Sequence, residues 1–211
     1  MKHFLLTLLL AISVNATAKT KAPAVKEAPK TESVKAADAI KGETVEFKAA
    51  DGKTEFLAIG KPAMIKINGE GPGPEGKLTA IKKSLSGLLK VDLTKVTTKI
   101  DLRDEHMKNK YMEVGKFPEA TLEFTNLELP SEISQLTDKE TAVPFKGKFT
   151  FHGKTSDVTG TATVSKKASV LSGSAEFIFK ITDHLDTLPT WLGVKVAETV
   201  TVKTQFKGLV K

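Results

Sequence analysis

Between Leu122 and the C terminus, apolar and polar residues alternate one by one in segment after segment. Leu122 and Phe124 alternate with Thr121, Glu123 and Thr125. Phe145, Gly147, Phe149 and Phe151 are spaced by Lys146, Lys148 and Thr150, and Val158, Gly160, Ala162 and Val164 by three threonines. Ala175, Phe177, Phe179 and Ile181 follow the same rule, as do Val200 and Val202. Residues two apart in a strand share a face, so each segment is a strand with one buried side. Many such strands, separated by Gly, Pro, Ser and Asp, predict an antiparallel barrel or sandwich.

The first part of the domain is less regular. Thr54 to Ile59, Ala63 to Ile67, Leu78 to Ile81 and Ser84 to Leu93 read as strands, with Leu89, Val91 and Leu93 on one face. Thr94 to Asp101 reads as a further strand, and Gly69 to Gly76 as a loop. The polar stretch from Pro130 to Pro144 is either a plain connection or carries a short helical turn. Leu102 to Tyr111 is a charge-paired helix candidate, and Gly115 and Pro118 mark the break after it.

The buried faces are rich in Phe. The chain has 11 Phe against one Trp and one Tyr. Buried Tyr and Trp need partners for their polar tips, whereas Phe does not. A closed barrel of about eight strands is either filled by side chains or holds one small ligand. Gly147, Gly160, Ala162 and Ala175 on the inner face favour empty space, or else sit beneath bulky neighbours. The pattern alone leaves both outcomes open.

The stretch from Ile100 to Phe124 narrows the choice. Arg103, Asp104, His106, Met107, Tyr111, Met112, Glu113, Val114, Phe117, Pro118 and Phe124 fall in order on a signature that resembles the YceI-like family of lipocalin-like, polyisoprenoid-binding proteins. Phe149 to Thr155 resembles a strand and turn of that family. Ile181-Thr182-Asp183 and Trp191 to Val196 resemble its late loop and last hairpin. The resemblance runs from Val45 to Lys211 and departs at Lys61-Pro62, where many members carry a His. It implies an all-β, lipocalin-like antiparallel barrel of about eight strands with a short helix capping one end. It also implies a cavity holding an isoprenoid or quinone-type lipid, a Gram-negative periplasmic location and a homodimer. On that reading the lipid contacts are Leu89, Val91, Leu122, Phe124, Phe149, Phe151, Phe177 and Phe179.

Three segments follow from composition. Residues 1–18 have a basic start, an apolar run and an Ala-Thr-Ala end, the marks of a secretory signal peptide cleaved after Ala18 or Ala16. Residues 19–43 are Lys, Ala, Pro and Glu with little to bury, which predicts a flexible tether. Residues 44–211 form the barrel domain. The absence of cysteine means that an exported chain folds without disulfides. The net charge of +7 is spread out and not interleaved with aromatics, so nucleic-acid binding is unsupported. No long apolar segment follows the leader.

Little in the sequence points to catalysis. His106, His152 and His184 lack metal-ligand spacing, and no nucleophile elbow or phosphate loop is present. Arg103, Lys61 and His184 are candidates for contacting a ligand head group at the barrel mouth. Arg103 and Asp104, at the start of the helix candidate, are also placed to fix it on the barrel rim, Asp104 by favouring the positive helix N-terminus and Arg103 by pairing with a carboxylate such as Asp101. His152 reads as a turn residue bonding backbone. The expectation is therefore a non-enzymatic lipid carrier without a cofactor. The alternatives are a filled, ligand-free exported barrel and a lipid-modifying enzyme dependent on His106.

Overall fold

The computed structural model describes residues 42–62 and 65–211. The expected leader, and the tether up to residue 41, lie outside these residues. In chain order the strands are β1 (Glu43–Phe47), β2 (Lys53–Lys61), β3 (Ile65–Pro72), β4 (Glu75–Ile81), β5 (Ser84–Asp92), β6 (Glu119–Glu128), β7 (Thr141–Phe151), β8 (Lys154–Lys167), β9 (Val170–Lys180), β10 (Thr190–Trp191) and β11 (Val194–Val210). One short helix, α1 (Asp101–His106), continues as a π-helical turn through Tyr111.

The seam of the sheet is β11. One side pairs with β9 from Thr199 to Leu209. The other side pairs first with β2 and then, at Gly208 to Val210, with β1. So β1 and β2 make one interrupted line along β11, and β3 and β4 make the next line beside them. With β5 to β9 and β11 these lines close an antiparallel 8-stranded barrel. Closure pairs the outermost lines with each other and removes the edges that an open sheet would expose.

Several local expectations change. β1, at the tether boundary, was not legible as a strand: Val45 and Phe47 are its only buried apolar residues. The loop expected over Gly69 to Gly76 shrinks to Gly73-Pro74 between β3 and β4. Thr94 to Asp101 is not a strand. Leu93–Lys95 forms a 3-10 turn capped by Asp92, and only Thr97 bridges to Glu70 of β3. The connection before β7 does carry a short helical turn, Ile133–Gln135. Its Ile133, fully buried, helps fill the space where β6 and β7 diverge after pairing only at Thr121 to Glu123. Pro144, with no N–H to give to a ladder, lies in the part of β7 that β6 does not reach.

One packing device recurs around the wall. Phe47 is paired with Gly208, Phe56 with Gly69, Phe145 with Gly160 and Phe206 with Gly173. A methyl added at these glycines would fall 2.7, 2.0, 2.5 and 3.0 Å from the opposing ring. Each ring therefore leans over its partner glycine and lies along the wall instead of projecting inward. Of the two outcomes the sequence left open for small inner residues, Gly160 takes the second and sits beneath Phe145. Room in the lumen comes from rings lying flat over glycines.

Candidate functional site

The barrel encloses a cavity of about 270 Å³. Leu89, Val91, Leu122, Phe124, Phe149, Phe151, Phe177 and Phe179 all border it. They do so because alternation points them inward from four strands, β5, β6, β7 and, beyond β8, β9. The Phe rings also meet one another. Phe149 is the hub, with centroid distances of 4.9 Å to Phe179, 5.2 Å to Phe177 and 6.3 Å to Phe151. The rings fill part of the lumen, and the cavity persists beside them. Further lining residues are Phe47, Phe56, Phe145 and Phe206, the rings over glycine, with Ile67 and Leu78 from the less regular first strands. The Phe-opposite-Gly register was the missing signal, since a single sequence does not say which strand lies beside which.

The cavity reaches the surface at one end. Where it is lined by Leu85, Leu129, Val143 and Leu171, every side chain is buried. At the opposite end it is lined by Arg103, His106 and Tyr111 from the helical segment and by Thr190 and Trp191 from β10, of which Thr190 is exposed and the rest are half-buried. The helical segment and the β10–β11 hairpin are tied across this mouth. The Thr190 N–H donates to the Tyr111 hydroxyl at 3.0 Å, and that hydroxyl lies 3.2 Å from the Thr190 carbonyl. The His106 ring packs 5.3 Å from Tyr111 and 5.4 Å from Trp191.

A polar cluster anchors α1 to the rim. The buried Asp104 carboxylate accepts from the Thr97 hydroxyl at 2.5 Å, the Thr98 N–H at 2.8 Å and the Thr98 hydroxyl. Arg103 does not pair with Asp101. It donates to the Thr98 hydroxyl at 2.8 Å and the Thr98 carbonyl at 3.0 Å. Asp101 is exposed and solvated, whereas the largely buried Thr98 needs partners. Burial pushes the Asp104 carboxyl up, but the bonds from Thr97 and Thr98 together outweigh it and hold the carboxyl below its ordinary range. A depressed folded-state pKa gives stability that is present above the ordinary aspartate value and lost as pH falls through the folded value. Asp104→Asn is expected to cost about 1–3 kcal/mol at neutral pH. It should also flatten the acid limb of the stability–pH curve, measured by denaturant melts from neutral pH down to strongly acidic conditions. An unchanged acid limb would refute the role given to this carboxylate.

Two histidines differ from expectation. His184 does not stand at the mouth. It is fully buried, its Nδ1 lies 3.1 Å from the Phe151 carbonyl and 3.0 Å from the Lys154 carbonyl, and its Nε2 lies 2.9 Å from the Ser156 hydroxyl. Carbonyls only accept, so Nδ1 carries a proton. The ring packs edge-on against Phe149, Phe151 and Phe179, and its role is to close the wall. His152 sits in the β7–β8 turn with positive φ, as does Gly153 after it. It bonds the Glu113 carboxylate at 2.7 Å rather than backbone, and packs on Phe117. Lys116 and then His152 hold the Glu113 carboxyl below its usual range. This pair clips the segment after α1 to the turn and does not border the cavity. Lys61 is exposed on the rim. Among the described residues no three His, Cys, Asp or Glu side chains gather as a metal site, and no helix is long and apolar enough to cross a membrane.

A closed antiparallel barrel around an apolar lumen, open at one end beneath a short helix, is the architecture of lipocalin-like barrels. The chain belongs to the YceI-like family: the model of the YceI-like domain matches residues 46–207. Among solved structures it is similar to a polyisoprenoid-binding domain from Saccharophagus degradans, with 16% identity, a TM-score of 0.63, and coverage of 79% of this chain and 98% of that one. It is also similar to BcnA from Burkholderia cenocepacia, with 15% identity, a TM-score of 0.59, and coverage of 77% and 99%. At these identities the likeness speaks for the fold. No curated protein matched the sequence.

Proposed function

We propose that this protein is an exported, non-enzymatic carrier that takes an apolar lipid chain of the polyisoprenoid type into its barrel and shields it from water. The observation that carries this reading is the cavity itself. Its deep walls are Phe, Leu, Val, Ile and Ala, and its polar neighbours are a few threonines and the group at the mouth. Such a lumen has little with which to fix a polar substrate, whereas an apolar tail needs only burial. Each methylene taken from water contributes about 0.8 kcal/mol, so on the order of ten carbons offset the freedom lost on binding. The cavity, about 270 Å³, is nearly twice a ~150 Å³ cavity that holds benzene, which matches a tail of on the order of ten carbons. A longer chain would extend through the mouth or widen the barrel. The polyisoprenoid-binding relative from Saccharophagus degradans supports this choice of ligand class. The basic and then apolar start of the chain, ending in Ala-Thr-Ala, supports export to the periplasm.

An enzymatic reading is weaker. His106 packs between two aromatic rings, and the one His–carboxylate pair among the described residues lies off the cavity. Native mass spectrometry of protein purified from its own cells tests the proposal. A bound apolar species of defined mass, recovered in an organic extract, is the expected result. A clean ligand-free mass would leave a filled scaffold as the better account.

A further inference from the structure

The mouth carries two features that are unfavourable in water. The first is the tip of the β10–β11 hairpin. Leu192 and Gly193 both have positive φ there, +47° and +79°. The first position of such a turn favours Asn, Asp or Gly, because a bulky side chain is strained in this region. Leu192 is also 86% exposed, the most exposed large apolar residue of the described barrel, and Leu102 on α1 follows at 65%. Leu102 is one helical turn from His106, whose ring meets Trp191, so the two leucines flank the same opening.

The second feature is beside this tip. Lys195 of β11 is the direct cross-strand partner of Lys61 of β2, and like charges facing each other in a ladder repel. No ion pair among the described residues engages either lysine, nor Lys108 or Lys110 of the helical segment. Asp101, Glu105, Asp183 and Glu198 belong to the same end. None is in direct register with the Lys61–Lys195 pair.

We propose that this end is a membrane-docking face, with Leu192 and Leu102 entering the acyl boundary of an anionic phospholipid bilayer while Lys61 and Lys195 meet its phosphates. Apolar tips and cations side by side match the two layers of such a surface in the right order. A second copy of this chain fits less well, because a two-fold contact through this patch would bring its own lysines together. The inference rests on the carrier reading and adds where cargo is exchanged. A chain leaving the mouth of a docked barrel passes into lipid without crossing water.

The test is flotation of the protein, purified as its cells produce it, with vesicles of phosphatidylcholine alone and with added phosphatidylglycerol. The wild type should float with the anionic vesicles and lose binding as salt is raised. Leu102→Ser with Leu192→Ser should lower binding roughly tenfold or more. Lys61→Gln and Lys195→Gln should each lower it roughly fivefold. All four residues lie off the cavity, so circular dichroism and bound-lipid mass should be unchanged. Absence of flotation with either vesicle overturns the proposal. So does a dimer, seen by sedimentation, that the leucine changes dissolve. Loss of docking with lipid still bound would leave the carrier reading intact, whereas docking by a ligand-free protein would remove the carrier reading alone.

Discussion

Phe177→Glu is expected to yield a barrel that does not carry lipid, while Ile178→Glu, one residue on, should carry as much as the wild type. Phe177 is 6% exposed and packs against Phe149 and Phe145, whereas Ile178 is 56% exposed on the outer face of the same strand. A carboxylate placed at 177 must lose its charge or draw water into the lumen, and either course costs several kcal/mol. Water admitted there also removes the apolar environment that makes tail burial favourable. The same charge at 178 stays solvated and should move stability by no more than about 0.5 kcal/mol. Phe177→Leu separates polarity from bulk: it keeps an apolar wall, loses about 1–3 kcal/mol through the smaller side chain and retains cargo. Native mass spectrometry and thermal melts of the three variants decide the matter. Equal lipid content in the 177 and 178 glutamate variants would refute the lining assignment, and loss of lipid from Phe177→Leu would show that the ring itself, not the apolar character, is needed.

How much of this was legible before any coordinates depends on the kind of physics involved. The wall from β6 to β11 was readable because a strand half in water writes its burial into the sequence with period two, as Phe145 to Phe151 does. The first strands were harder. β1 is short, and β3 carries glycines where alternation would show apolar residues, because Phe56 of β2 leans over Gly69 and Val96, after the 3-10 turn, packs over Gly71. Arg103 and His184 were recognisable as residues with a task, but their partners are set by tertiary placement. Thr98 is close to Arg103 in sequence and His184 is far from Phe151, and neither bond has a sequence signature. The family signature located the helical segment correctly, and Arg103 and Asp104 were readable as residues that fix it to the rim. The sequence did not reveal that Asp104 does so through Thr97 and Thr98, nor that the mouth is tied across by Tyr111 and Thr190.

Gly69→Val tests the device that keeps the lumen open. The three atoms nearest to a Cβ added at Gly69 all belong to the Phe56 ring, whose Cε1, Cζ and Cδ1 lie 2.0, 2.3 and 2.9 Å away. The obstacle is the far end of a side chain and not backbone, so the strand pairing can survive if the ring moves. Phe56 borders the cavity, and its wall side is the one blocked, so the ring must swing into the lumen. Forcing it there should cost about 1–3 kcal/mol and displace cargo of similar size to the ring. The double change Gly69→Val with Phe56→Leu should regain both stability and lipid, because the shorter side chain no longer needs the glycine. Residues in direct contact couple in this way, and a cycle of the two single variants and the double measures the coupling. A double variant no more stable and no better loaded than Gly69→Val alone would mean that the glycine serves the strand's backbone. The flat rings would then have to be explained by something other than the partner opposite them.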